Sequence, residues 1–435
     1  MADEPDSTGG GTTLTPAGYR ERIAEAEAGA VLRTARALLV EGPKGCGKTW
    51  FAKRLARSEV LLEQDRAALT LARAVPDRVL EGATPRLIDE WQRAPGLWGA
   101  VRGACDARAL PGQFILTGSA APADELTRHS GALRVQRLAL RTMSLAEQGL
   151  SSRAVSLAGL LDGAPCEAPL TGRDLPEAVD AVCRGGWPGL DSRTPLADTS
   201  RALRSYLGDI ARTDIRQLDG KERDPVRVSA LIRSLARNTA TAASLNKLAN
   251  EASADAPLSR HTVRSYLDAL QRLHVLEPLL AWPTHLRSRS PLLTGTKHHF
   301  CDPSLAAAAL RASPRSLLAD PETLGFLFES LVIKELRTHA QAADAAVYSF
   351  ADAAGAEVDA IVDAGDGRWM AVEVKLGGGD GQLEAAARSL LAAARKIDET
   401  RMGEPAALVV VTAADGYAYR RSDGVSVVPL FALGP

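Results

Sequence analysis

Gly42–Thr49, GPKGCGKT, constrains this chain more than any other stretch. It fits the pattern G-x-x-x-x-G-K-[ST] and lies between an apolar run, ALLVEG, and a helical pattern. A strand must enter the loop and a helix must leave it. Strand and helix signals keep alternating to about residue 150, so residues 17–150 predict a parallel α/β domain. A loop of backbone N–H groups at a helix N-terminus receives phosphate oxygens without side-chain bulk. Gly42, Pro43, Lys44, Gly45, Cys46, Gly47, Lys48 and Thr49 are therefore candidate cofactor-binding residues. Gly42, Gly45 and Gly47 allow the tight turn and close approach. Lys48 is placed to reach β- and γ-phosphates, and the Thr49 hydroxyl to ligate Mg²⁺.

Binding a nucleotide is not hydrolysing one. The stretch PRLIDEWQ adds Asp89 and Glu90 after a short apolar run. An acid at a strand's C-terminal edge holds the metal's water shell, and the next one polarises attacking water. Asp89 is read as the metal-associated acid and Glu90 as the general base. A third strand, GQFILTGSA, ends in Thr117 and Ser119, candidates to position the γ-phosphate or the water, or simply strand-ending residues.

On these motifs, residues 30–150 resemble the bacterial and archaeal AAA+ ATPases whose P-loop is followed by IDEWQ and ILTGS. GALRVQRLALRTMSLAEQ resembles the segment closing that core, with Leu133 in place of the usual glycine before Arg134. RGGWPGL and YLGDIARTDI resemble the start of the C-terminal region these ATPases carry. The resemblance implies ATP and Mg²⁺ as cofactors, ATP hydrolysis and a homo-oligomer. It offers Arg128 and Arg134 as arginine fingers or sensors, with an ordinary surface or lid arginine as the rival reading of each.

The rest of the chain bounds the setting. A length of 435 residues predicts two or three domains. A net charge of −1 argues against a uniformly basic nucleic-acid coat. The five cysteines are scattered, giving neither a zinc spacing nor a disulfide framework. No apolar run reaches a membrane span. A cytoplasmic protein with no membrane partner is expected. The Gly/Thr-rich residues 1–16 predict a disordered tail. Residues 151–200 read as a small helical lid or linker.

Residues 201–315 are mostly helical in pattern, interrupted by Pro283 and Pro291. Within them, Leu245, Leu248 and Ala249 are placed to face Val263, Tyr266, Leu267 and Leu270, with Ser259 as a cap. That is the pattern of a helix-turn-helix in a winged fold. The exposed side offers Arg260, His261, Arg264 and Arg272. Residues 226–290 hold nine Lys/Arg against four Asp/Glu, which suits DNA phosphates. A packing module is the alternative.

The last segment, 316–435, predicts a helix at 322–341 and strands near 346–351, 357–363, 369–376, 407–412 and 425–430. Two of these, in EVDAIVDAGDGRWMAVEVK, set Asp359 opposite Glu373 if the turn centres near residue 366, and like charges so paired are destabilising. Asp359 followed by Glu373-Val374-Lys375, with Glu329 on the preceding helix, resembles the PD-(D/E)XK nuclease fold. The resemblance implies a second divalent metal held by Glu329, Asp359 and Glu373, with Lys375 steering water or charge. A bound cation also accounts for the opposed carboxylates. Glu357 paired to Lys375 as a plain polar edge is the competing reading. The fold class expected is α/β: a P-loop AAA+ core, a helical and winged middle, and a mixed α/β nuclease-like end. The protein is expected to turn over ATP while acting on nucleic acid, with metal-dependent DNA cleavage, a non-cleaving nucleotide-controlled switch and a transcription regulator all left open.

Overall fold

The computed structural model describes residues 14–118, 133–218, 220–252, 258–283, 295–352, 355–397, 402–414 and 416–435. Most of the expected tail, together with Ser119, Arg128 and Pro291, lies outside the described residues. The chain divides into two compact units. One holds residues up to Glu21, Glu25–Gly42 and Gly47–Leu140; the other holds Arg22–Ala24, Pro43–Cys46 and Arg141–Pro435. Among the described residues no helix is long and apolar enough to cross a membrane.

The first unit is a parallel sheet between helices. Its elements are α1 (Glu25–Thr34), β1 (Ala37–Glu41), α2 (Lys48–Leu55), β2 (Ser58–Leu61), α3 (Arg66–Ala74), β3 (Arg86–Asp89), α4 (Leu97–Arg108), β4 (Phe114–Gly118) and β5 (Val135–Ala139). The strand order is β2-β3-β4-β1-β5, with every pair parallel. β1 and β4 are buried at all five positions, as their unbroken apolar runs require of central parallel strands covered on both faces. Edge strand β5, VQRLA, is mostly exposed and correspondingly polar. Leu39, Ile88, Phe114 and Leu116 from the sheet pack with Trp91, Trp98 and Val101 in one core. The two tryptophan rings are 5.1 Å apart between centroids. Because the strands are parallel, the ends of β1, β3 and β4 all open on one edge, where such sheets bind ligands.

The second unit begins with helices α5 (Leu175–Arg184), α6 (Leu196–Asp209), α7 (Pro225–Arg237), α8 (Leu245–Glu251) and α9 (Arg260–Arg272). Leu248 and Ala249 of α8 and Val263, Tyr266, Leu267 and Leu270 of α9 are buried, while Arg260, His261 and Arg264 are exposed. Leu245 and Arg272 are intermediate. Ser259 caps α9, accepting the Thr262 N–H at 3.0 Å. Strands β6 (Leu276–Leu279) and β7 (Lys297–Phe300) follow as an antiparallel pair, then α10 (Pro303–Leu310).

Helix α11 (Pro321–Ala342) runs 22 residues. It starts at an Asp320 cap with proline in the first position, both strong initiators. It is then buried almost all round, so its polar residues need partners. Lys334 donates to the Met143 carbonyl at 2.8 Å and Glu335 accepts the Leu145 N–H at 2.8 Å. Strands β8 (Ala346–Ala351), β9 (Glu357–Asp363), β10 (Trp369–Lys375), β11 (Ala407–Thr412), β12 (Tyr419–Arg420) and β13 (Ser426–Pro429) form one sheet, with α12 (Asp380–Ala394) crossing from β10 to β11. Its order is β12-β13-β11-β10-β9-β8: β8–β9–β10 antiparallel, then β10–β11–β13 parallel. The β9–β10 register runs from Ala360↔Val372 to Asp363↔Trp369, which centres the turn on Asp366.

Candidate functional site

At the ligand edge of the first sheet, β1 passes into the loop and α2 leaves it. Gly45 and Gly47 have φ of 85° and 99°, the left-handed region that a side chain rarely adopts. Helix α2 then begins with no side-chain cap, so its first N–H groups face an open end. Lys48 is buried, and its ammonium donates to the Gly42 carbonyl at 2.9 Å. The Thr49 hydroxyl donates to Asp89 Oδ1 at 2.9 Å, and the Thr117 hydroxyl donates to the same oxygen at 2.5 Å. Asp89 is thus buried against two hydroxyls at the end of β3. Thr49 and Asp89 together offer hard oxygen donors, the chemistry Mg²⁺ prefers, so the residues present fit that ion.

Glu90 is bent out of the strand at φ 54°, ψ 48°. A non-glycine residue there costs about 1 kcal/mol, and such outliers gather at functional sites. Two contacts hold it: its N–H donates to the Thr117 hydroxyl at 3.1 Å, and the Gln92 amide donates to its carboxylate. Thr117 therefore serves both acids at once, a closer role than a lone strand-ending hydroxyl. Gln92 was not singled out from the sequence; its place two residues after Glu90 in IDEWQ is the signal that marks it.

Arg134 lies away from the phosphate loop of its own chain. The parallel register sets Val135 beside Ala37, and the Arg134 carbonyl accepts the Ala37 N–H. Arg134 is thus at the entry end of β1, while the phosphate loop leaves the exit end, five residues or about 16 Å away. It forms an ion pair with Asp106 at 2.6 Å. It is no contact for a nucleotide held by its own loop. Arg137 lies further along β5, with Nη1 2.6 Å from Glu41 Oε1.

Within the second unit, residues 43–46 have their own supports. The Cys46 carbonyl accepts from Arg22 at 3.0 Å, and Arg22 pairs with Glu147 at 3.0 Å, both side chains buried. Lys44 is 3.7 Å from Asp214, which lies in a π-helical turn, Ile210–Asp214, that follows α6. A Cβ on Gly45 would come within 3.8 Å of Trp187, from the turn cluster RGGWPGL. Lys44 thus spends its charge on an acid of this unit.

The C-terminal acids do come together, around a residue the sequence did not suggest. Lys297 of β7 places Nζ 3.2 Å from Glu329 Oε1 and 2.7 Å from Glu357 Oε1. Lys375 pairs with Glu373 at 2.8 Å, so the Glu357–Lys375 pair of the competing reading is replaced by two others. Asp359 Oδ2 accepts the Val374 N–H at 2.8 Å, so one of its oxygens is held by the backbone. Burial and the neighbouring Asp359 push the Glu329 carboxyl up to about 8, Lys297 only partly opposing them. Burial and Asp359 likewise push Glu373 up to about 7, against Lys375. Burial also raises Asp359, with Lys297 opposing. For Lys297, burial alone would lower the ammonium's pKa; Glu329, Glu357 and Asp359 outweigh it and raise it.

The second-metal expectation is corrected accordingly. Among the described residues no three His, Cys, Asp or Glu are gathered so as to hold a metal ion. Glu329, Asp359 and Glu373 are arranged about an ammonium instead. No local pattern marks Lys297, which lies 32 residues before Glu329 and on a different hairpin.

Comparison with known proteins divides the chain in three. Residues 34–148 match the family described as AAA domain. Residues 176–316 and 324–433 match two domains of unknown function, DUF8612 and DUF4143. Uncharacterized protein Rv2008c of Mycobacterium tuberculosis is 26% identical over 366 residues, covering 81% of this chain and 73% of that protein. Uncharacterized protein Mb2031c of Mycobacterium bovis matches with the same figures. Among solved structures, the Walker-type ATPase PABY2304 of Pyrococcus abyssi aligns at TM-score 0.41 and 10% identity, over 68% of this chain and 99% of that one. AMPPCP-bound DnaA from Aquifex aeolicus aligns at TM-score 0.23 and 14% identity, over 57% and 85%. Alignments that loose carry no argument. The family match and the five-stranded parallel sheet with its loop agree with one another: residues 34–148 are an AAA-type P-loop ATPase domain.

Proposed function

We propose that this protein binds and hydrolyses ATP and couples the turnover to work on nucleic acid. The observation that carries the first half is Asp89, held by the Thr49 and Thr117 hydroxyls beside the bent Glu90. When ATP binds, Lys48 exchanges its Gly42 carbonyl for the β- and γ-phosphates, and the open N-terminus of α2 receives their oxygens. Thr49 and Asp89 are the residues that hold Mg²⁺, which shields the phosphate charge when bound. Glu90 takes the proton of the attacking water, and Gln92 fixes its carboxylate. Hydrolysis by purified protein, retained binding in Glu90→Gln and lost binding in Lys48→Ala are the test.

The second half rests on α8, α9 and the β6–β7 pair, read as a winged helix with Arg260, His261, Arg264 and Arg272 toward DNA phosphates. Behind it, α11 and the sheet from β8 to β13 are read as a PD-(D/E)XK-like domain. The supporting observation is that Glu329, Asp359, Glu373 and Lys375 fall on a helix and two adjacent strands, around one acidic cluster. We take the working protein to be a cytoplasmic homo-oligomer. Purified protein incubated with plasmid and linear DNA, with Mg²⁺ or Mn²⁺ and with or without ATP, tests the cutting. Lys297 within the acids favours a second reading, in which this domain is a non-cleaving platform governed by nucleotide. Uncut DNA that is nonetheless bound in an ATP-dependent way would select it. A sequence-specific footprint without ATP dependence would favour a transcription regulator.

A further inference from the structure

We infer that the groove between α7 and the π-helical turn after α6 takes nucleic-acid phosphates, and that the turn passes their arrival to Lys44 of the phosphate loop. That route rests on the nucleic-acid reading proposed above and adds where such a partner meets the ATP cycle.

The groove has a volume of about 520 Å³, the size of a ligand site. Three arginines line it, Arg212, Arg233 and Arg237, against one acid among the described lining residues, Glu251. Helix α7 supplies two of the three because it has two faces. Val228, Leu231, Ile232 and Leu235 are buried, so Val226, Ala230, Arg233 and Arg237 fall on the opposite, open side. Glu251 does not cancel the arginines. Its Oε2 already accepts from the Ser234 hydroxyl at 2.9 Å and the Asn238 amide at 2.7 Å, with Arg237 at 3.5 Å. Arg212 is 3.6 Å from Asp209 in a pair exposed on both sides, which holds it weakly. Arg233 has no ion pair among the described residues. The groove thus presents positive charge on planar forks, the groups that grip phosphate with two hydrogen bonds at once. Helix α7 packs on α8 and α8 on α9, so the groove shares a module with Arg260 and Arg264. A polymer of phosphates can engage both sets, which one small anion cannot.

The position of Arg212 gives the contact a use. It belongs to the turn Ile210–Asp214, and Asp214, two residues on, lies 3.7 Å from Lys44 Nζ. A π-helical turn is a rare departure from the α-helix that recurs at functional sites. A phosphate that draws Arg212 into the groove also draws on the turn, and Asp214 moves off Lys44. The Lys44 side chain is 66% exposed, so its released ammonium can swing to a nucleotide in the same loop. ATP then binds tighter with nucleic acid in the groove, and nucleic acid tighter with ATP in the loop, by one coupling free energy.

The test uses full-length protein, Mg²⁺, a fluorescent ATP analogue and a short DNA duplex, with its single strand in a parallel arm. Saturating DNA should tighten analogue binding to wild type by about fivefold or more, the lower end of ordinary allosteric couplings. Arg233→Glu changes an exposed residue outside the ATP site, so analogue binding without DNA should stay as in wild type. The variant should bind DNA more weakly and lose the shift at saturation. Asp214→Asn should still bind DNA yet show no shift, because Lys44 is already released; a merely structural Asp214 would leave the shift in place. No shift in wild type with DNA bound, or an equal shift in Arg233→Glu, overturns the route and leaves the nucleic-acid reading standing. Polyglutamate that matches DNA in wild type would make the groove a seat for acidic protein and overturn its nucleic-acid occupant. Failure of wild type to bind either form of DNA overturns the nucleic-acid reading and the route with it.

Discussion

Asp89 and Asp359 each sit beside a second carboxylate, yet their surroundings neutralise them by different means. Asp89 accepts from two neutral hydroxyls, those of Thr49 and Thr117. Asp359 takes a backbone N–H, in a cluster whose neighbours hold two lysines. The first arrangement leaves hard oxygen donors for a cation that comes with a nucleotide. The second already contains its own cations, Lys297 and Lys375. A hydroxyl reorients at little cost, whereas a buried ammonium drawn away leaves unpaired carboxylates behind. One site is poised, the other occupied.

Mutations that strip each site of one charged group break the comparison most sharply. Lys48→Ala should weaken ATP binding about 100-fold or more, since charge-assisted bonds to two phosphates are lost together. Asp359→Asn should leave that affinity unchanged. Equilibrium binding of a fluorescent ATP analogue reads both, and native affinity in Lys48→Ala would remove the phosphate site from Gly42–Thr49. Glu90→Gln comes next. It should keep ATP and slow hydrolysis about 100-fold or more, the usual scale for a lost general base. A wild-type rate would move that role away from Glu90 and leave its bent backbone without a purpose.

A smaller effect is expected on the helical face. Arg260→Ala combined with Arg264→Ala should lower the slope of log affinity for DNA against log salt by about 2, two phosphate contacts fewer. Both side chains are exposed, so stability should barely change. An unaltered slope with DNA still bound would place the contact elsewhere.

What the sequence made readable follows the same division. The phosphate loop, Asp89 and Glu90 are local signals, each fixed by a strand that ends within a residue or two of the chemistry. The strands of the last sheet were equally readable as short apolar stretches bounded by turn residues, although β10 is buried on both faces and does not alternate. Arg134 misled because a motif in the chain says nothing of which end of a parallel strand it occupies; only the register with Ala37 does. Lys297 was invisible for another reason. It reaches Glu329 and Glu357 across tertiary packing, and a lysine in the strand KHHF carries no mark of burial. Local rules recover the acids. What neutralises them is decided by the fold.

The least effect, and the one most specific to the lysine-held site, is a pH dependence. Glu329 and Glu373 titrate near 4.5 when unfolded and are raised to about 8 and about 7 in the fold; Asp359 is raised as well. Between those limits the folded state binds more protons than the unfolded one, so stability falls as pH rises. The contribution is fully present below about 4.5 and is lost as pH climbs through 7 and then 8. Lys297 and Lys375, whose pKa values are raised from 10.5, stay charged throughout the window and add no slope. Glu357 faces Lys297 from the exposed side. Hydrogen-exchange protection of β9 and β10 in the full chain, corrected for intrinsic rates, should therefore drop about tenfold or more between pH 5.5 and 8.5 without metal. Glu329→Gln removes the higher of the two transitions, so the drop that remains should be smaller and complete near pH 7. Amides of β3, in the other unit, serve as the reference for any slope common to the whole chain. Equal slopes at β3 and β9 would mean that the drop is common to the whole chain and not the work of Glu329 and Glu373.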